Sequence, residues 1–144
     1  MAEKKTSLSV LNQLVANQGV LYIKLHQYHW FVQGPHFYTL HAKFDEFAER
    51  LIIKGEKPYS TLEEYLEHAS IKEKRYDEKM SAEEMVSDTV HDFRTIKELA
   101  LEGIELAGEE NDSVTEDMLI GYKESIDQTI WMLQAYLGKD ADEK

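Results

Sequence analysis

The chain has no cysteine among its 144 residues. That excludes a disulfide framework, a thiolate nucleophile, an iron–sulfur cluster and a zinc–thiolate site. It has only two prolines and seven glycines, so helix breakers are few. No apolar run approaches the ~20 residues of a membrane-spanning helix, and no membrane segment is expected. Basic residues are scarce: sixteen Lys and Arg face twenty-eight Asp and Glu, for a formal net charge of −12. A protein that grips nucleic acid needs a basic face to neutralise phosphates, and this balance argues against one. No apolar stretch follows Lys4 and Lys5, so a signal peptide is not expected and a cytoplasmic location is.

The composition, 42% hydrophobic and 31% charged, fits one globular domain over 1–144, with short flexible ends at about 1–6 and 139–144. Apolar residues recur near a 3.6-residue period in four long segments. The first runs from Ser7 to about Gln33 through Leu8, Leu11, Leu14, Val15, Leu21 and Leu25, with Ser7 or Ser9 as cap and Gly34-Pro35 as stop. The second starts near Phe37 and passes through Leu40, Phe44, Phe47, Leu51 and Ile52 to Lys54-Gly55. At about 18 residues it is shorter than its neighbours. Thr61 and Glu64 form a capping box that opens a short helix to Ala69, and 71–79 reads as a loop. Ser81 with Glu84 opens the third long helix. Ser113 with Glu116 opens the fourth, which ends at a Gly138 C-cap. The expected fold is therefore all-α. It is a ferritin-like four-helix bundle with one crossover, and a short extra helix lies in the long connection between helices two and three.

Two clusters can carry chemistry. His26 and His29 stand three apart on one helix, a spacing that fits a metal pair or ordinary surface and core histidines. His41, Asp45 and Glu49 stand at i, i+4 and i+8 and project along one stripe. Asp45 and Glu49 can ligate one hard cation; equally, they can belong to a solvated face on which Glu46 pairs with Arg50. Imidazole and carboxylate without thiolate suits iron, manganese or zinc. Asp112, Glu116 and Asp117 crowd the start of helix four, where acids favour the helix dipole. Brought together by threefold symmetry, they would line a cation-attracting pore. Trp30 and Trp131 fit an ordinary core. No phosphate-cradling glycine loop or Ser–His–Asp arrangement is present.

From Leu11 to Gly138 the chain resembles the Dps family, the mini-ferritins, in its acidic, short-tailed Gram-positive form. The resemblance lies in residues 25–41, which include His26, His29, Trp30, Gly34 and His41, and in Asp45-Glu-Phe-Ala-Glu49-Arg50. Lys54-Gly-Glu-Lys-Pro58, 61–71, Asp117-Met-Leu-Ile and 125–133 extend it. The resemblance implies a hollow dodecamer with a ferroxidase site at each twofold interface. His29 and His41 match ligands from one subunit, and Asp45 and Glu49 match ligands from its mate. Trp30 matches the aromatic beside the site, and Asp112 and Asp117 match acids near the threefold pore. The implied activity binds Fe(II), oxidises it with hydrogen peroxide in preference to dioxygen, and stores ferric mineral, protecting the cell from oxidative damage. A DNA-compacting role is the reading that the charge favours least.

One departure stands out. The family pattern has about 11 more residues between Phe44 and Asp45, close to three helical turns at 3.6 per turn. Their loss keeps the helical phase, shortens helix two by ~16 Å and leaves His41 and Asp45 only ~6 Å apart along the axis. Three outcomes fit: a rearranged bundle, a metal set drawn within one subunit, or a natural or engineered shortened form. The last includes a helical assembly whose oxidation site is impaired or absent.

Overall fold

The computed structural model describes residues 4–31, 40–75 and 79–144, and in 26, 28–31 and 40–44 the backbone only. Five helices follow in order: α1 Ser7–Phe31, α2 Leu40–Ile53, α3 Leu62–His68, α4 Ala82–Glu109 and α5 Ser113–Tyr136. There is no strand among the described residues. None of these helices is long and apolar enough to cross a membrane. The expected start of helix two at Phe37 and the Gly34-Pro35 stop lie outside the described residues. The short second helix is borne out, since α2 has 14 residues against 25, 28 and 24 in α1, α4 and α5.

Residue pairs fix the directions of the helices. α1 and α4 are antiparallel: the Ser7 N–H donates to the Glu110 carboxylate at 3.0 Å, Val10 lies against Gly103, and Lys24 meets Asp92. α5 folds back on α4, with Lys97 paired to Asp127 at 2.7 Å. α2 runs antiparallel to α5, because Arg50 meets Asp112 while Phe47 meets Tyr122 further along. α2 and α4 are therefore parallel. Residues 54–81 must return along the bundle, which is the one-crossover topology that the long connection predicts.

The return is pinned to α1 by two asparagines. The Asn12 side chain bonds the backbone of Lys57 and Tyr59 at 3.2 and 2.8 Å. Asn17 holds the Ser70 hydroxyl and N–H at 2.9 and 2.6 Å. Between the two anchored points of the return, the Tyr65 ring of α3 lies on Gly19 of α1, where a Cβ would come within 2.5 Å of it. The bundle core is a continuous set of buried side chains that includes Leu11, Leu14, Phe47, Phe93, Ile96 and Tyr122.

Three helix starts refine the expectations. Thr61 and Glu64 form the expected capping box. At α1 the cap is Thr6 rather than Ser7 or Ser9, with Ser9 reaching back to the Thr6 N–H at 2.9 Å. At α5 the cap is Asp112, one residue before the expected Ser113, because its carboxylate accepts from the Thr115 N–H. Gly138 takes φ +73 just beyond the Leu137 C-cap.

Candidate metal centre

α2 has two unlike faces. Phe47 and Leu51 are fully buried, four residues apart on the inward stripe. Asp45 and Glu49 are exposed on the opposite stripe, about 200° round from Phe47 at 100° per residue. Ile52, expected to face the core, shares that outward side and is 62% exposed, with Ile53 beside it at 73%. The reason is phase: Ile52 follows Leu51 by 100° and leaves the inward stripe.

The inward stripe meets α5 at two places. The Phe47 ring approaches the Tyr122 ring edge-on, with centroids 4.8 Å apart and planes at 87°. Tyr122 is buried, and burial pushes its phenol up. Three residues along α2, the Arg50 Nη2 donates to Asp112 Oδ1 at 2.9 Å and the Nε to Thr115 Oγ1 at 3.1 Å. The Lys54 Nζ stands 3.5 Å from Asp112 Oδ2. Burial would raise the Asp112 carboxyl, but hydrogen bonds from the Thr115 hydroxyl and N–H and from Arg50 outweigh it and bring it down to about 2.

Of the expected site residues, Asp45 and Glu49 come together on one exposed face of α2. His29 and Trp30 lie in the last turn of α1, and His41 lies in the first turn of α2. Their side chains, and that of His26, lie outside the described residues. Among the described residues no group of three or more His, Asp or Glu gathers to hold a metal. Of the two expected pore acids, Asp117 is exposed on α5 while Asp112 serves as helix cap and ion-pair partner. Trp131, expected in the core, is 59% exposed, and Met132 and Tyr136 share its exposure. The buried apolar residues of that stretch of α5 are Ile126, Ile130 and Leu133, so Trp131 falls one residue off the apolar stripe.

Sequence reading missed the polar links between helices. Lys24 of α1 is buried against Asp92 and, at 3.2 Å, against Asp88 of α4. An i, i+4 aspartate pair flanking a helix stripe was the available signal, but nothing local pointed to Lys24 as its partner. Arg50 was legible only as a neighbour of Glu46.

A ferritin-like domain matches residues 8–142 of the chain. The DNA protection during starvation protein of Listeria monocytogenes is 43% identical over 140 positions, which cover 90% of each chain. Ninety per cent of 144 residues is about 130, so about ten of those positions have no counterpart here. That difference has the size of the segment expected to be absent. The X-ray structure of Dps from Listeria monocytogenes superposes with a TM-score of 0.89 at 39% identity, covering 98% of this chain and 99% of that one. A Listeria innocua Dps variant with two histidines changed to glycine superposes at 0.90, with 38% identity and coverage of 98% and 100%.

Proposed function

Since the chain belongs to the ferritin-like family, in its Gram-positive Dps group, we propose that it oxidises Fe(II) and stores the ferric product inside a shell of its own subunits. The iron is substrate and cargo. His29, His41, Asp45 and Glu49 are the proposed ligands, with Trp30 beside them and Asp117, with Asp112, near the entry route. The shell is a dodecamer in the cytoplasm.

The observation that carries this reading is the outward face of α2. Two carboxylates one turn apart share it with Ile52 and Ile53, both well exposed. Exposed isoleucines beside paired carboxylates suit a surface that a second subunit covers, so that the two chains share the metal. The histidine spacing supports it too. The two substituted histidines of the Listeria innocua variant stand twelve positions apart, as do His29 and His41.

Carboxylates favour Fe(III) over Fe(II), and a site with few protein ligands keeps positions open for oxidant. Two Fe(II) each give up one electron, and the pair breaks the O–O bond of one hydrogen peroxide. With two waters the products are two FeO(OH) and four protons. Both electrons go to one peroxide, so no hydroxyl radical is released. The acidic chain attracts Fe(II) from a distance.

The length of α2 favours a second reading, a helical assembly with an impaired site, since in a 14-residue helix His41 stands only about one turn from Asp45. One experiment separates the two. Fe(II) oxidation by stoichiometric peroxide is followed by ferric absorbance in wild type, in His29→Ala/His41→Ala and in Asp45→Ala/Glu49→Ala. The proposal expects a fast wild type and two slow variants of unchanged helical content. Equal fast rates would remove these residues from the site, and a slow wild type would favour the impaired assembly.

A further inference from the structure

Arg50 follows Glu49 directly, yet it points to the other side of α2. Its Nε donates to Thr115 Oγ1 at 3.1 Å and its Nη2 to Asp112 Oδ1 at 2.9 Å. The Thr115 hydroxyl in turn donates to Asp112 Oδ2 at 2.6 Å, and the Thr115 N–H donates to Oδ1 at 3.2 Å. Arg50, Thr115 and Asp112 thus close a ring in which each donor has one acceptor. Little of it meets water: the Arg50 and Asp112 side chains are 14% and 12% exposed, and Thr115 is fully buried. The ring is built on the first turn of α5, where Asp112 is the cap.

The two links between α2 and α5 constrain different motions. The edge-on contact of Phe47 with Tyr122 resists separation but tolerates rotation of the helix. A guanidinium that donates two bonds in a fixed fork does not tolerate it. A 20° roll of α2 about its axis would break that alignment. The same roll would carry a carboxylate ~6 Å from the axis through ~2 Å. Metal–ligand distances tolerate about 0.2 Å.

We propose that Arg50, held by Asp112 and Thr115, is a positioning residue that fixes the roll of α2 and so aims Asp45 and Glu49 at the metal. The proposal rests on the reading of those two carboxylates as ligands. It also gives the Asp112 carboxylate a task other than lining a pore.

The test uses the whole chain as it assembles, with Co(II) alone as the probe. Arg50→Met keeps the stem and removes the fork. Asp112→Ser keeps an N-cap acceptor for the Thr115 N–H and removes the ion pairs to Arg50 and Lys54. Arg50→Lys keeps the charge with fewer fixed donors. Each is scored by amide hydrogen exchange along α2 and by Co(II) titration followed in the visible ligand-field bands. Arg50→Met and Asp112→Ser should each speed exchange in α2, leave the middle of α4 unchanged and weaken Co(II) binding about tenfold to a hundredfold. Arg50→Lys should fall between these and wild type, and the double variant should be no weaker than the worse single one.

Unchanged exchange and unchanged affinity would overturn the proposal. So would faster exchange with wild-type affinity, which would leave the ring a purely structural link. If Asp45→Ala/Glu49→Ala binds Co(II) as wild type does, the ligand reading itself fails. That outcome is recognised by the ligand variant and not by the ring variants.

Discussion

Lys24 on α1 and Asp92 on α4 form an ion pair whose side chains are 4% and 6% exposed. Asp88, one turn before Asp92, approaches the same ammonium at 3.2 Å. Burial raises the Asp92 carboxyl, and the hydrogen bond and charge of Lys24 offset that only in part. Lys74 stands 3.9 Å from Asp88 on its more exposed side, and Lys24 is the cation that both carboxylates share in the α1–α4 interface.

Removing that cation should be costly. Lys24→Met leaves a buried carboxylate without a partner, a change worth about 3–5 kcal/mol. The pH dependence follows from the sign. A carboxyl raised in the fold holds its proton more tightly there, so its burden on stability grows as pH rises through the unfolded value and is complete above the folded one. Losing Lys24 raises it further. Urea unfolding at pH 5 and pH 7 should show the gap to wild type widening toward neutrality. A gap that narrows would mean Asp92 is not the group left unpaired.

Asp112 carries the opposite sign. Its carboxyl is lowered to about 2, so the stability it contributes is fully present above about pH 4 and is lost as pH falls toward 2. Asp112→Asn should cost about 1–2 kcal/mol at pH 7 and distinctly less at pH 2, where the carboxyl is about half protonated. Urea midpoints at pH 7, 4 and 2 check this, and a cost independent of pH would assign the effect to capping alone.

The apolar period made the helices legible because each buries one stripe, as Met85, Val86, Phe93 and Ile96 do on α4. The short α2 was legible for the same reason. Trp131 and Ile52 were misplaced because each directly follows an inward residue, Ile130 and Leu51, and so stands about 100° off the buried stripe. Caps were legible to within one residue: Asp112 and Ser113 are both good cap residues, and Asp112, which takes the Thr115 N–H, also accepts from Arg50, 62 positions away. Lys24 could not be read as a partner of Asp92 because their separation of 68 positions is set by the packing of α1 on α4. Of the candidate site, the i, i+4 carboxylate pair was visible in the sequence, whereas what orients it was not.

Two helical glycines should respond oppositely to the same change. A Cβ on Gly103 would meet Val10 at 2.8 Å and Leu119 at 2.9 Å, where three helices converge. Around Gly121 nothing lies within 4 Å. Gly103→Ala should therefore lose about 1–2 kcal/mol, overpacking outweighing the propensity gain. Gly121→Ala should gain up to ~1 kcal/mol. Thermal midpoints of both variants check the pair, and two stabilising outcomes would show that Val10 yields freely.

Nucleic acid should be left alone. At −12 per chain the phosphate backbone repels the protein, and protection of DNA would come from consuming iron and peroxide. Plasmid should migrate unretarded with excess protein at about 100 mM salt without divalent metal. A tight shift under those conditions would require a basic surface that the net charge conceals.

Assembly should depend on the outward face of α2. Ile52 and Ile53 are 62% and 73% exposed, on the side that carries Asp45 and Glu49. In water such side chains cost about 25 cal/mol per Å² left uncovered, so a second subunit gains by covering them. Native mass spectrometry should find a species near 200 kDa, twelve chains of 16.8 kDa. Ile52→Glu/Ile53→Glu should convert it to smaller species, because two buried charges at each interface would go unpaired. The helices would remain, since neither isoleucine belongs to the core. Loss of the shell with unchanged circular dichroism would tie assembly to this face. A variant that still runs at the wild-type mass would show that the isoleucines are exposed in the shell as well, and would separate the carboxylate pair from any subunit boundary.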